Sequence, residues 1–118
     1  MKIGELGPRN RKLNLVFKVV SLGEENEITS RRDGAKHRFI EAVVGDNTGT
    51  VIMTFWDDDV GTVEEGKTYE LENGYTKTFK GSLRLNSGRY GELKEIDEDI
   101  KVKKDNDMSE KEFGRTRY

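Results

Sequence analysis

Apolar and polar positions alternate with a period of two over much of the chain between residues 13 and 90. Such alternation marks strands with one buried face. Residues 13–22 read Leu-Asn-Leu-Val-Phe-Lys-Val-Val-Ser-Leu, rich in the β-branched and aromatic residues that strands favour. The polar, charged stretch from Gly23 to Gly34 reads as a loop. A second strand spans 36–45 and ends at Gly45. Asp46-Asn47-Thr48-Gly49 is a turn, because Asp and Asn tolerate left-handed backbone and glycine adopts it freely. The third strand spans 50–56. Residues 57–66 have room for one helical turn and no long helix. A fourth strand spans 67–79 with an irregularity at Asn73-Gly74. After a tight turn at Lys80-Gly81, a fifth strand spans 82–90. Five strands with short links predict an all-β, five-stranded barrel, closed or partly open.

Parity along each strand assigns faces. In the third strand Val51, Met53 and Phe55 share a core face. Thr50, Ile52, Thr54 and Trp56, the chain's one tryptophan, share the other. In the fourth, Tyr69 and Leu71 point inward. Beyond Asn73-Gly74, Tyr75, Lys77 and Phe79 share a face. A lysine between two rings suits an outer surface that receives flat bases and phosphates, rather than a core. Leu83 and Leu85 point inward, and Arg84 and Asn86 outward. Taken singly, Trp56, Tyr75 or Phe79 would also suit ordinary barrel packing. Together, in a basic setting, they form a candidate stacking surface.

Charge sharpens this picture. The chain carries 21 basic and 23 acidic residues, yet no acid occurs between Glu72 and Glu92, an interval holding Lys77, Lys80, Arg84 and Arg89. Arg31, Arg32, Lys36 and Arg38 form a second basic cluster. The acids gather at Asp57-Asp58-Asp59, Glu64-Glu65 and from Glu92 to Asp99. Segregated charge says more about ligands than the net value of −2 does. A length of 118 residues suits one domain. With 32% hydrophobic residues, the apolar shortage is placed at the C-terminus, where Lys101–Tyr118 is charged and aperiodic. The expected division is a folded domain over 1–99 and a disordered tail over 100–118.

The chain has no cysteine and a single histidine, His37, which removes thiolate chemistry, disulfides and Cys- or His-cluster metal sites. The Asp57–Asp59 run carries Mg²⁺-type ligands, but three consecutive loop residues rarely converge on one ion. The expectation is a non-enzyme without a cofactor or metal. No apolar run approaches a membrane span and no signal peptide opens the chain, so a cytoplasmic protein is expected.

The segment Ile3-Gly4-Glu5-Leu6-Gly7-Pro8-Arg9-Asn10 is followed by Ile40-Glu41-Ala42-Val43-Val44-Gly45-Asp46-Asn47-Thr48-Gly49. Then come Thr54-Phe55-Trp56, Glu65-Gly66, Glu72-Asn73-Gly74-Tyr75, Phe79-Lys80-Gly81 and Leu85-Asn86. In these motifs the chain resembles the archaeal simple single-OB-fold single-stranded-DNA-binding proteins, whose relatives include the single-OB subunits of eukaryotic DNA-damage sensor complexes. The resemblance runs from about Ile3 to Asp99. It implies an OB fold and base stacking on Trp56, Tyr75 and Phe79, where many archaeal members carry a larger tryptophan at the position of Tyr75. It also implies a C-terminal tail that meets partner proteins of replication or repair.

The reading reached from the sequence is sequence-tolerant binding of single-stranded DNA by a monomer, protecting the strand in replication, recombination and repair. Its expected site comprises Trp56, Tyr75 and Phe79 for stacking; Lys77, Lys80, Arg84, Arg38 and Arg32 for phosphates; and Ile52, Thr54 and Asn86 alongside. Single-stranded RNA as the ligand and a protein-interaction scaffold are the alternatives, since stacking does not read the sugar.

Overall fold

The computed structural model describes residues 1–79, 81–87 and 91–109. Six strands appear: β1 (Leu13–Thr29), β2 (Lys36–Asp46), β3 (Gly49–Trp56), β4 (Thr68–Phe79), β5 (Ser82–Asn86) and β6 (Glu92–Ile96). The ring runs β1-β2-β3-β5-β4 and closes through β4 onto β1. All its pairings are antiparallel except β3–β5, which is parallel. This is the five-stranded barrel that the alternation predicts, closed as the OB resemblance implies. Short 3-10 turns at Ile3–Glu5 and Asp57–Asp59 are the helical elements among the described residues.

The inward parity of each strand builds the core. Phe17, Val51, Met53, Phe55, Leu71, Leu83 and Leu85 are fully buried, and Tyr69 nearly so. Phe17 lies at the centre, 6.4 Å from Phe55 and 6.1 Å from Tyr69 between ring centroids. Each such side chain contributes about 1.5–3 kcal/mol by leaving water. The β2–β3 turn is anchored by Asp46, which is 1% exposed. Its carboxylate accepts from the Ile3 and Thr48 N–H groups at 2.9 and 2.8 Å and from the Thr48 hydroxyl at 2.5 Å. These bonds offset the cost of burying a charge and fix the N-terminal turn onto the barrel.

Three expectations are corrected. The stretch 23–34 is not a loop throughout: β1 continues to Thr29 and pairs with β2 from Lys36 to Ile40, forming a projecting two-stranded arm. Its residues Glu24 to Glu27 are exposed, so it has no apolar alternation to display. Lys36 and Arg38 instead lie 3.9 Å from Glu27 and Glu25 across the arm. β6 was likewise hidden in charged sequence; it pairs with the first half of β4, with only Leu93 packed on the core.

The third correction concerns the start of the expected tail. Residues 100–109 run along the barrel, and Met108 is 3% exposed within the core. The Thr50 N–H donates to the Asn106 carbonyl at 2.9 Å, and the Met108 N–H donates to the Thr50 carbonyl at 2.7 Å. The Ser109 hydroxyl accepts from the Ile52 N–H at 2.7 Å and donates to the Leu83 carbonyl at 2.5 Å. The segment therefore bridges β3 and β5 at the start of their seam, beside the Ile52–Arg84 pair. Gly45 and Gly49 make room for it. An added Cβ there would fall 2.5 Å from a Val102 methyl and 2.7 Å from the Asn106 carbonyl oxygen. The rest of the expected tail, 110–118, lies outside the described residues.

This docking has a measurable consequence. Met108→Ala is expected to cost about 2–5 kcal/mol, the usual range for a buried methionine. A chain ending at Asp99 should lose at least as much in denaturant or thermal unfolding. An unchanged melting temperature for the shortened chain would contradict the packing.

Candidate nucleic-acid interface

Register across four strands assembles one outer face. Glu41 of β2 pairs with Thr54 of β3, Thr54 with Asn86 of β5, and Asn86 with Tyr75 of β4. One row away, Val43, Ile52, Arg84 and Lys77 align in the same way. At the end of β3, Trp56 pairs with Phe39, their ring centroids 5.0 Å apart. Phe79 stands at the β4–β5 hairpin opposite Ser82. Trp56, Tyr75 and Phe79 keep 38, 36 and 56% of their surface exposed, whereas Phe55, beside Trp56, keeps none.

Trp56, Phe79, Thr54, Asn86, Lys77 and Arg84 line a cleft of about 360 Å³. Three residues not singled out from the sequence join them: Phe39 and Glu41 from β2, and the half-exposed Ile28 from the arm. Phe39 and Glu41 alternate with the buried Ile40 and Ala42, so parity on β2 would have found them. Ile28 was concealed because its segment reads as a loop.

Arg84 and Lys77 differ in how they are held. Arg84 is only 17% exposed and forms an ion pair with Glu41. Its guanidinium lies 5.6 Å from the Phe79 ring centre, and its Nε donates to the Ser82 hydroxyl at 3.3 Å. It therefore supports the Phe79 platform as a cation under a ring. The interval that lacks acids in the sequence is thus supplied with one in space. Lys77 is exposed. Its position between Tyr75 and Phe79 leaves its ammonium toward solvent.

Other expected site residues lie apart. Tyr75 borders a neighbouring cleft, which it shares with Lys77. Arg38 is on the opposite parity from Phe39 and faces Glu25 of the arm. Arg32 sits in the turn at the arm's tip, its N–H donating to the Ser30 hydroxyl at 3.3 Å. Ile52 is half-buried beside Arg84, outside the cleft lining. Lys80 lies outside the described residues.

Asp57 follows Trp56 with a left-handed φ of 48°. Its carboxylate lies 3.1 Å from His37 Nδ1 and accepts from the Arg38 N–H at 3.1 Å. The hydrogen bond from His37 holds its carboxyl below the usual carboxylate range. This clasp ties the end of β3 to β2 and so positions Trp56. Among the described residues no group of three or more carboxylates and imidazoles is gathered to hold a metal.

A family model for single-stranded DNA binding protein Ssb-like OB folds matches residues 6–95. The chain belongs to this family. It is 35% identical over 98 residues to the single-stranded DNA binding protein Ssb of Saccharolobus solfataricus, covering 83% of this chain and 65% of that protein. The match thus spans slightly under two thirds of the archaeal protein's length. The solution structure of a hypothetical protein from Arabidopsis thaliana superposes with a TM-score of 0.83 at 26% identity, covering all of this chain and 88% of the other. The second OB-fold domain of replication protein A from Methanococcus maripaludis shares the fold, with a TM-score of 0.68 at 24% identity over 86% of this chain and 98% of that domain.

Within the Ssb-like barrel, adjacent residues at the end of β3 have opposite environments. Phe55→Ala is expected to cost about 3–5 kcal/mol of stability, as for other buried aromatics. Trp56→Ala should cost less than half as much in the same unfolding experiment. Equal losses would mean that Trp56 is a core residue and the face assignment is wrong.

Proposed function

We propose that this chain binds single-stranded DNA across the outer face of β2, β3, β5 and β4, without sequence preference. The observation that carries this reading is the set of three exposed aromatics around the solvent-facing Lys77. Folding leaves large rings in water only at a cost, and a barrel with this core has no packing use for them. Membership of a family named for single-stranded DNA binding supports the same reading.

Bases stack on Trp56 and Phe79 at the cleft and on Tyr75 beyond it. Phe39 backs the indole, and Arg84, held by Glu41, backs Phe79. Lys77 reaches the phosphates between the stacked bases. Every base has a flat face, so stacking accepts any sequence. Duplex DNA hides those faces and is excluded. A protein of this kind would shield exposed strands during replication, recombination and repair, as a monomer and without catalysing a reaction.

Alanine at Trp56, Tyr75 or Phe79 is expected to weaken binding of an oligo-dT strand by about 1–3 kcal/mol each. Melting temperatures should stay close to the parent value. Oligo-rU titrated in parallel reports the preference for sugar. Full affinity in all three alanine variants would remove the proposed stacking mechanism.

A further inference from the structure

Beside the aromatic cleft lies a second, larger one of about 730 Å³. Its walls are the N-terminal segment Pro8–Lys12 and the stretch 73–78 of β4. Arg9, Arg11 and Lys12 are exposed, and none has an ion-pair partner among the described residues. With Lys77 they put four cations on the lining, which carries no carboxylate among the described residues. In a chain of net charge −2 this is a concentrated positive surface.

The cleft is built, not incidental. The Asn10 N–H donates to the Thr76 hydroxyl at 2.8 Å, and that hydroxyl donates to the Gly7 carbonyl at 2.6 Å. The Thr76 N–H in turn donates to the Asn10 carbonyl at 3.0 Å. Asn10 also accepts from the Gly7 N–H at 2.6 Å through its side chain. The segment is thereby fastened to β4 at the buried Thr76, between Tyr75 and Lys77. Lys12, at the cleft margin, has a left-handed φ of 52° before the chain enters β1.

Continuity decides the occupant. Lys77 lines both clefts, and Tyr75, aligned with Asn86 and Thr54 across the sheet, lines the basic one. A strand leaving Trp56 and Phe79 past Lys77 reaches Tyr75 and then the cations of the N-terminal segment. We infer that Arg9, Arg11 and Lys12 form a phosphate-binding extension of the strand path, which holds the nucleotides beyond Tyr75 by their backbone. The proposal rests on the single-strand reading above and adds a length-dependent, electrostatic half to a site otherwise built on stacking. It assigns function to the basic cluster Arg9-Asn10-Arg11-Lys12, which the charge pattern between Glu72 and Glu92 leaves out.

The test is a length series of oligo-dT, titrated against the parent chain and the triple variant Arg9→Gln, Arg11→Gln, Lys12→Gln. The shortest oligomers that bind the parent should bind the variant equally well. Longer ones should bind it about tenfold or more weakly at low salt, and the slope of log K against log salt should flatten by about 2, at about 0.7 per lost contact on a single strand. All three side chains are exposed, and a melting curve checks the fold. Should the triple variant unfold, Arg9→Gln and Arg11→Gln singly carry the test, each flattening the slope by about 0.7. Equal affinities and slopes at every length would overturn the extension, as would a loss independent of length. A parent chain that binds no oligomer overturns the single-strand reading itself, an outcome visible without any variant.

Discussion

The barrel closes through one short parallel seam. β3 and β5 meet in only three register pairs, Ile52–Arg84, Met53–Leu85 and Thr54–Asn86. Antiparallel neighbours can follow one another through tight turns, whereas parallel strands need an intervening crossover. Here the crossover is the 3-10 turn and β4, and the chain reaches β5 only after completing the opposite wall. Every outward residue of the candidate site is placed by that seam or by the strands flanking it. Inward, the same pairs set Met53 and Leu85 into the core. The C-terminal segment fills the adjoining gap: Ser109 satisfies Ile52 and Leu83, while Met108 is buried beneath. A charged stretch that looks dispensable in the sequence thus completes the wall on which the site stands.

Buried and exposed aromatics are separated by parity on this wall. Phe55 and Trp56 are neighbours in the chain, yet one is wholly buried and the other keeps 38% of its surface. Electrostatics divides the site in a second way. Arg84 is committed to Glu41 and Phe79, so its charge shapes a platform. Lys77, Arg9, Arg11 and Lys12 are exposed, and in the proposed strand path theirs is the charge offered to a polyanion.

Much of this was legible because buried strands advertise themselves. Val51, Met53 and Phe55 alternate without exception, and Tyr75, Lys77 and Phe79 break the expected core composition on their side of β4. The elements that escaped notice share a different physics. The arm from Glu24 to Thr29 is wet on both faces and is held by backbone pairing and cross-strand charges, so no apolar period marks it. β6 sets Leu93 against the core and is otherwise held by backbone pairing with β4. Residues 100–109 dock through one methionine and a set of backbone and side-chain hydrogen bonds that no residue pattern encodes. The Glu41–Arg84 pair joins positions 43 residues apart in sequence, and only the strand register brings them together. The same register admitted Phe39 and Glu41 to the cleft and directed Arg38 away from it.

Trp56 is the chain's single tryptophan, so its emission reports directly on the face at issue. The decisive measurement is a fluorescence titration of the intact chain with oligo-dT and, in parallel, with duplex DNA of the same length. Stacking on the indole predicts saturable quenching by the single strand and little response to the duplex. Unchanged emission with bound single strand, or equal quenching by the duplex, would contradict the account.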